Sequence, residues 1–202
     1  WSCPSLAAAL WSQTPLEELD RQYSPKDAVI EAHVRELAEG TRRAQDTLQT
    51  RLHVPYGDSD GEKLDMYLPT EPSGAFPLLL YIHGGYWQFL RQTTPALGAP
   101  PWLAGPGAAG LPGFQCGAPG PSPPAHRSSP LLPSSGVFLC GHSAGAHLAA
   151  MVLSTDWGEY GVSPDIRGAF LVSGVYDLEP ITHTYVNSPL RMSREAAWTH
   201  SP

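Results

Sequence analysis

The spacing of hydrophobic residues changes period several times along the 202-residue chain. Residues 16–49 are rich in Glu, Arg, Ala and Leu, with Val29, His33 and Leu37 at spacings of four, so a helix is predicted there. After Leu52, Leu64, Met66 and Leu68 alternate with other residues, the period of a half-buried strand. The turn-forming run Gly57-Asp-Ser-Asp-Gly61 would close the two flanking segments into a hairpin. Three continuous apolar runs then follow, at 76–82, 136–140 and 169–173. Runs of this kind suit strands buried on both faces of a parallel sheet. Residues 146–154, lying between the second and third runs, form a good apolar helix. Strand, loop, helix and strand in repetition predict a right-handed, mostly parallel α/β sheet with flanking helices.

Residues 89–135 break this rhythm. These 47 residues hold 11 of the 22 prolines and 7 of the 20 glycines, and their only charges are Arg91 and Arg127. Prolines at this density remove ladder donors and interrupt helices, so the segment is expected to be disordered. The chain as a whole, 1–202, is expected to form one domain.

A net charge of −7 disfavours nucleic acid and anionic membrane as partners. No apolar stretch approaches the length of a membrane-spanning helix. Cys3, Cys116 and Cys140 are too few and too scattered for a disulfide framework or a zinc site, which points to a reducing compartment. Leu6-Ala-Ala-Ala-Leu10 faintly resembles the apolar part of a secretion signal, but no basic segment precedes it.

Two motifs carry chemistry. Gly141-His142-Ser143-Ala144-Gly145 fits G-x-S-x-G and lies between an apolar strand and an apolar helix. In that setting the turn presents a serine nucleophile at the helix N-terminus, where developing negative charge is favoured. An ordinary glycine-bounded turn with Ser143 as a helix cap is the plainer alternative. His83-Gly84-Gly85-Tyr86-Trp87 follows the first buried strand. Acyl transfer needs N–H donors for an oxyanion, and Gly84, Gly85 and Ala144 would supply them.

Together, His83-Gly84-Gly85-Tyr86-Trp87-Gln88, the run 141–150 and the run 171–180 resemble the kynurenine formamidase (arylformamidase) family of α/β-hydrolases. Residues 52–57 and 61–65 are similar to its N-terminal hairpin, whereas 89–135 match nothing in it. The resemblance implies hydrolysis of N-formyl-L-kynurenine to L-kynurenine and formate, a step of tryptophan breakdown. It implies no metal or organic cofactor, a cytosolic and also nuclear location, and a homodimer. Ser143 would be the nucleophile, with His83, Trp87, Gly141 and Gly145 as motif residues. Tyr86 and Trp87 would either stack on the substrate's ring or pack beneath the loop.

Departures from the family pattern limit this expectation. A triad in this fold runs Ser, then Asp or Glu, then His, on successive later strands. After Ser143 one convincing strand remains, so the acid and base are expected to be absent and the fold incomplete. Asp177 comes too early and reads as a loop-capping carboxylate, while His142, His147, His183 and His200 are poor candidates for the base. The resemblance further implies that 89–135 replace an inner strand of the sheet. A related carboxylesterase acting on small acyl esters and a catalytically dead fragment are the alternatives.

Overall fold

The computed structural model describes residues 11–24, 26–56, 63–69, 76–88, 113–116 and 134–202, with backbone alone at 113–116 and 134–135. Two helices open the described chain, α1 (Leu16–Tyr23) and α2 (Asp27–Thr47). The single helix expected over 16–49 is therefore two. Ser24 is extended, as a residue before a proline tends to be, and Pro25 follows it. On α2 the residues Leu37, Gly40, Thr41 and Ala44 form one buried stripe.

Strands β1 (Gln49–Pro55) and β2 (Lys63–Leu68) pair antiparallel, as the alternation predicted. The turn proposed at 57–61 lies outside the described residues. Tyr67 of β2 is 1% exposed and packs on Ala44 of α2, fastening the hairpin to the helix.

Next come β3 (Phe76–Ile82), β4 (Gly113–Cys116), β5 (Ser134–His142), α3 (Ala144–Ser154) and β6 (Ile166–Val172). The sheet order is β1-β2-β4-β3-β5-β6, and β4, β3, β5 and β6 run parallel. One expectation is corrected here. The inner strand held to be missing is present: β4 sits between β2 and β3, within the proline-rich segment. Gly113-Phe114-Gln115-Cys116 contains no proline, so every residue keeps its backbone donor. Without it, two strands would face each other across unpaired donors and acceptors. The expected disorder of the rest of 89–133 falls outside the described residues.

The core lies on both faces of β3 and β5. Ile82 and Leu139 pack on Ala149 of α3, while Leu79, Tyr81 and Cys140 pack on the opposite face. After β6 come short helices α4 (Asn187–Leu190) and α5 (Arg194–Thr199). Leu178, Ile181, Val186 and Ala197 bury one another beside Tyr86 and Trp87. Strand β6 ends the described sheet, and Phe170 is 61% exposed there with Leu171 and Val172 also exposed. No described helix is long and apolar enough to cross a membrane.

The register brings three strand ends into line. Ile82 pairs with Gly141, and His142 pairs with Val172. Both motif loops therefore leave the sheet at its carboxyl edge, side by side, where open α/β sheets place their sites.

Candidate active site

Ser143 sits between β5 and α3 with φ 56° and ψ −119°, a backbone conformation that non-glycine residues rarely adopt. Such strain persists only where the surroundings fix it. Here the Ser143 N–H donates to the Val172 carbonyl at 2.9 Å, and its own carbonyl accepts from Ala146 and His147. The elbow's glycines are demanded by space. A Cβ on Gly141 would stand 2.3 Å from the Gly145 carbonyl oxygen, and one on Gly145 would stand 2.0 Å from that of Ile82. The turn thus folds on itself and on the end of β3, which leaves the serine projecting.

The glycine loop lies against this elbow. A Cβ on Gly84 would come 2.8 Å from the His142 carbonyl oxygen and 3.1 Å from the Ser143 Cβ. Gly84 is therefore packed directly beside Ser143. Ala144 begins α3, so its N–H is one of the donors a helix leaves free at its start. Gly85, Tyr86 and Trp87 have φ of 110°, 47° and 58°, a tight left-handed bend closed by Gln88 N–H donating to the Gly85 carbonyl.

The histidines have defined roles. His83 is 6% exposed, and its Nδ1–H donates to the Gly84 carbonyl at 2.7 Å. Burial pushes its pKa down, so the ring is neutral and its buried Nε2 has no partner among the described residues. His147 is held at both nitrogens: Nδ1 accepts from the Trp87 indole N–H at 3.2 Å, and Nε2–H donates to the His200 carbonyl at 2.7 Å. Burial also lowers its pKa. His142 has its ring 5.0 Å from that of His33, and burial first, then His33, lowers its pKa. The His200 ring donates to the Ala196 carbonyl, and His183 lies against Trp11. Among the described residues no side chain hydrogen-bonds the Ser143 hydroxyl. Asp177 accepts from the Glu179 N–H, the loop-capping role read from its position.

Sequence reasoning missed three partners of this site. Tyr86 donates its hydroxyl proton to the Tyr23 carbonyl, Gln88 donates to the Val186 carbonyl, and His33 faces His142. Each pairing crosses the chain to a distant element, and none follows a local pattern. As for Tyr86 and Trp87, both pack against the cluster built on Ile181 and Val186.

A pH dependence of stability follows from His83, His142 and His147. Their folded pKa values lie below the ordinary 6.5, so below that pH the unfolded chain takes up protons that the folded one refuses. Stability is therefore full above pH 6.5 and falls as pH drops through the folded values. The slope is at most about 1.4 kcal/mol per pH unit for each group. Thermal melts at pH 7.5 and 5.5 should show a lower midpoint at 5.5, and equal midpoints would contradict the burial of these rings.

No family model matches the chain. It is 47% identical to kynurenine formamidase of Danio rerio over 209 residues, covering 95% of this chain and 71% of that protein. Identity to kynurenine formamidase of Salmo salar is the same over the same coverage. Among solved structures, a thioesterase candidate from Silicibacter sp. superposes with a TM-score of 0.64 at 28% identity, covering 92% of this chain and 74% of the other. The fold is that of the α/β-hydrolases.

Proposed function

Because the chain belongs to the kynurenine formamidase family of hydrolases, we propose that its site is built to hydrolyse N-formyl-L-kynurenine to L-kynurenine and formate. The observation that carries this reading is Ser143 held in a strained elbow with Gly84 packed beside it. In the proposed reaction the Ser143 hydroxyl oxygen attacks the formyl carbon, and the N–H groups of Gly84, Gly85 and Ala144 receive the charge on its oxygen. The C–N bond then breaks, the aniline nitrogen gains a proton, and a formyl ester remains on Ser143. Water attacks that ester, formate departs, and the serine recovers its proton. No metal or organic cofactor enters these steps. The resemblance further supports cytosolic and nuclear residence and a homodimeric assembly.

A second reading rests on the Ser143 hydroxyl, which no side chain hydrogen-bonds among the described residues. A serine without a base is a poor nucleophile, and losing a triad member lowers kcat by roughly 10⁴-fold. With His147 engaged at both nitrogens, the chain by itself is expected to be inert. The test is formylkynurenine hydrolysis by the chain, by its Ser143→Ala variant, and by a version extended with the C-terminal portion of a fish relative. Turnover by the chain that Ser143→Ala abolishes would place the base within it and end the second reading. Activity confined to the extended version upholds the family reaction and an inert chain. Extended protein that cleaves p-nitrophenyl esters but not formylkynurenine would make it a carboxylesterase.

A further inference from the structure

The donor loop is strained and should not hold its shape unaided. Two consecutive non-glycine residues, Tyr86 and Trp87, lie in the left-handed region. A non-glycine residue keeps that conformation only where its surroundings impose it. What surrounds this loop is a set of three side-chain tethers, each running to a different element. Trp87 reaches His147 on α3. The Tyr86 hydroxyl donates to the carbonyl of Tyr23, the last residue of α1, at 3.1 Å across 63 residues of sequence. Gln88 donates its side-chain N–H to the Val186 carbonyl at 2.8 Å across 98 residues.

The two carbonyls that receive Tyr86 and Gln88 belong to one assembly. Asp20 of α1 accepts from the Tyr185 N–H at 2.8 Å, Leu19 of α1 is 3% exposed, and Trp11 lies against His183. Tyr23 packs in the same cluster as Ile181 and Val186. Residues 11–23 and 178–187 thus make a single frame against which the loop is held.

On the reading of this loop as the oxyanion site, we propose that Tyr86 and Gln88 are positioning residues that hold Gly84 and Gly85 through this frame. Both acceptors are backbone carbonyls, so the frame works by shape and not by the identity of residues 23 and 186. The N-terminal arm is thereby part of the catalytic apparatus, although it contributes no reacting group.

The test compares amide hydrogen exchange of the 83–88 peptide in the native chain, Tyr86→Phe and Gln88→Ala, with the 144–154 peptide of α3 as internal reference. Losing one neutral hydrogen bond should speed exchange in the loop about fivefold, with the α3 peptide unchanged. In a preparation that turns over formylkynurenine, the same substitutions should lower kcat several-fold and leave KM in place. Exchange equal to the native chain in both variants would overturn the proposal. Equal acceleration in both peptides, or faster loop exchange with kcat unchanged, would also overturn it, leaving only a structural tether. Absence of any Ser143-dependent turnover would count against the formamidase reading alone, because the exchange result does not depend on it.

Discussion

Gly145→Ala should destabilise the native fold of this protein severely. The added methyl would stand 2.0 Å from the Ile82 carbonyl oxygen and 2.5 Å from that of His83. Both are backbone atoms of β3 and its exit, so no side chain can swing away to relieve the clash. Overpacking a core costs typically about 1–3 kcal/mol, and contact with rigid backbone belongs at or above the top of that range. A domain stable by only about 5–15 kcal/mol has little room for such a loss. The thermal midpoint of the variant, followed by near-UV circular dichroism, should fall by roughly 2–4 °C for each kcal/mol lost. Gly168→Ala is the control, because its methyl would meet only Phe138 at 3.4 Å, an ordinary contact. If Gly145→Ala melts like the native chain, the elbow does not lie against β3 as described.

Trp87→Phe should have the second largest effect for its chemical modesty. An aromatic ring remains, smaller than the indole, but the N–H that His147 Nδ1 accepts is gone. His147 is 4% exposed, so its nitrogen would be left buried and unpaired. That penalty is about 1–3 kcal/mol. At roughly 2–4 °C per kcal/mol for a chain of this size, the midpoint should fall by several degrees. Trp87→Ala removes the packing on Ile181 and Val186 as well, and should cost more than Trp87→Phe. Equal midpoints for native and Trp87→Phe proteins would mean that the indole hydrogen bond contributes nothing. In an active preparation, a loosened loop should also lower kcat, since one misplaced oxyanion donor is worth roughly 10²–10³-fold.

How much of this was legible in the sequence depended on whether the governing physics was local. The elbow was legible because its pattern is short and partly self-enforced: Gly141 is confined by Gly145 four residues on, although Gly145 itself is confined by the distant Ile82. Strands β3 and β5 were legible because a strand packed on both faces favours a continuous apolar run, as Phe76–Ile82 shows, whereas the similar run in β6 is largely exposed among the described residues. The break between α1 and α2 was also written locally, at Pro25, but a periodicity count across 16–49 averages over it. Strand β4 was hidden for a different reason. Its place is set by the vacancy between β2 and β3, a demand made by other parts of the chain and not by Gly113–Cys116. The anchoring of the donor loop was hidden in the same way, because Tyr86 and Gln88 find backbone carbonyls, and any residue could have supplied those.

The fastening of His147 has a consequence in time. Its Nε2–H is held by the carbonyl of His200, so the indole-to-imidazole tether is complete only when the chain has been made almost to Pro202. Gln88 likewise waits for Val186. On a ribosome the strands β3 and β5 and helix α3 can assemble while the glycine loop they support still lacks two of its three moorings. Contacts that close such long loops form late, because the chain entropy they forfeit is returned only at the end. The elbow at Ser143 is therefore shaped before the loop beside it is fully tethered, which awaits Val186 and His200.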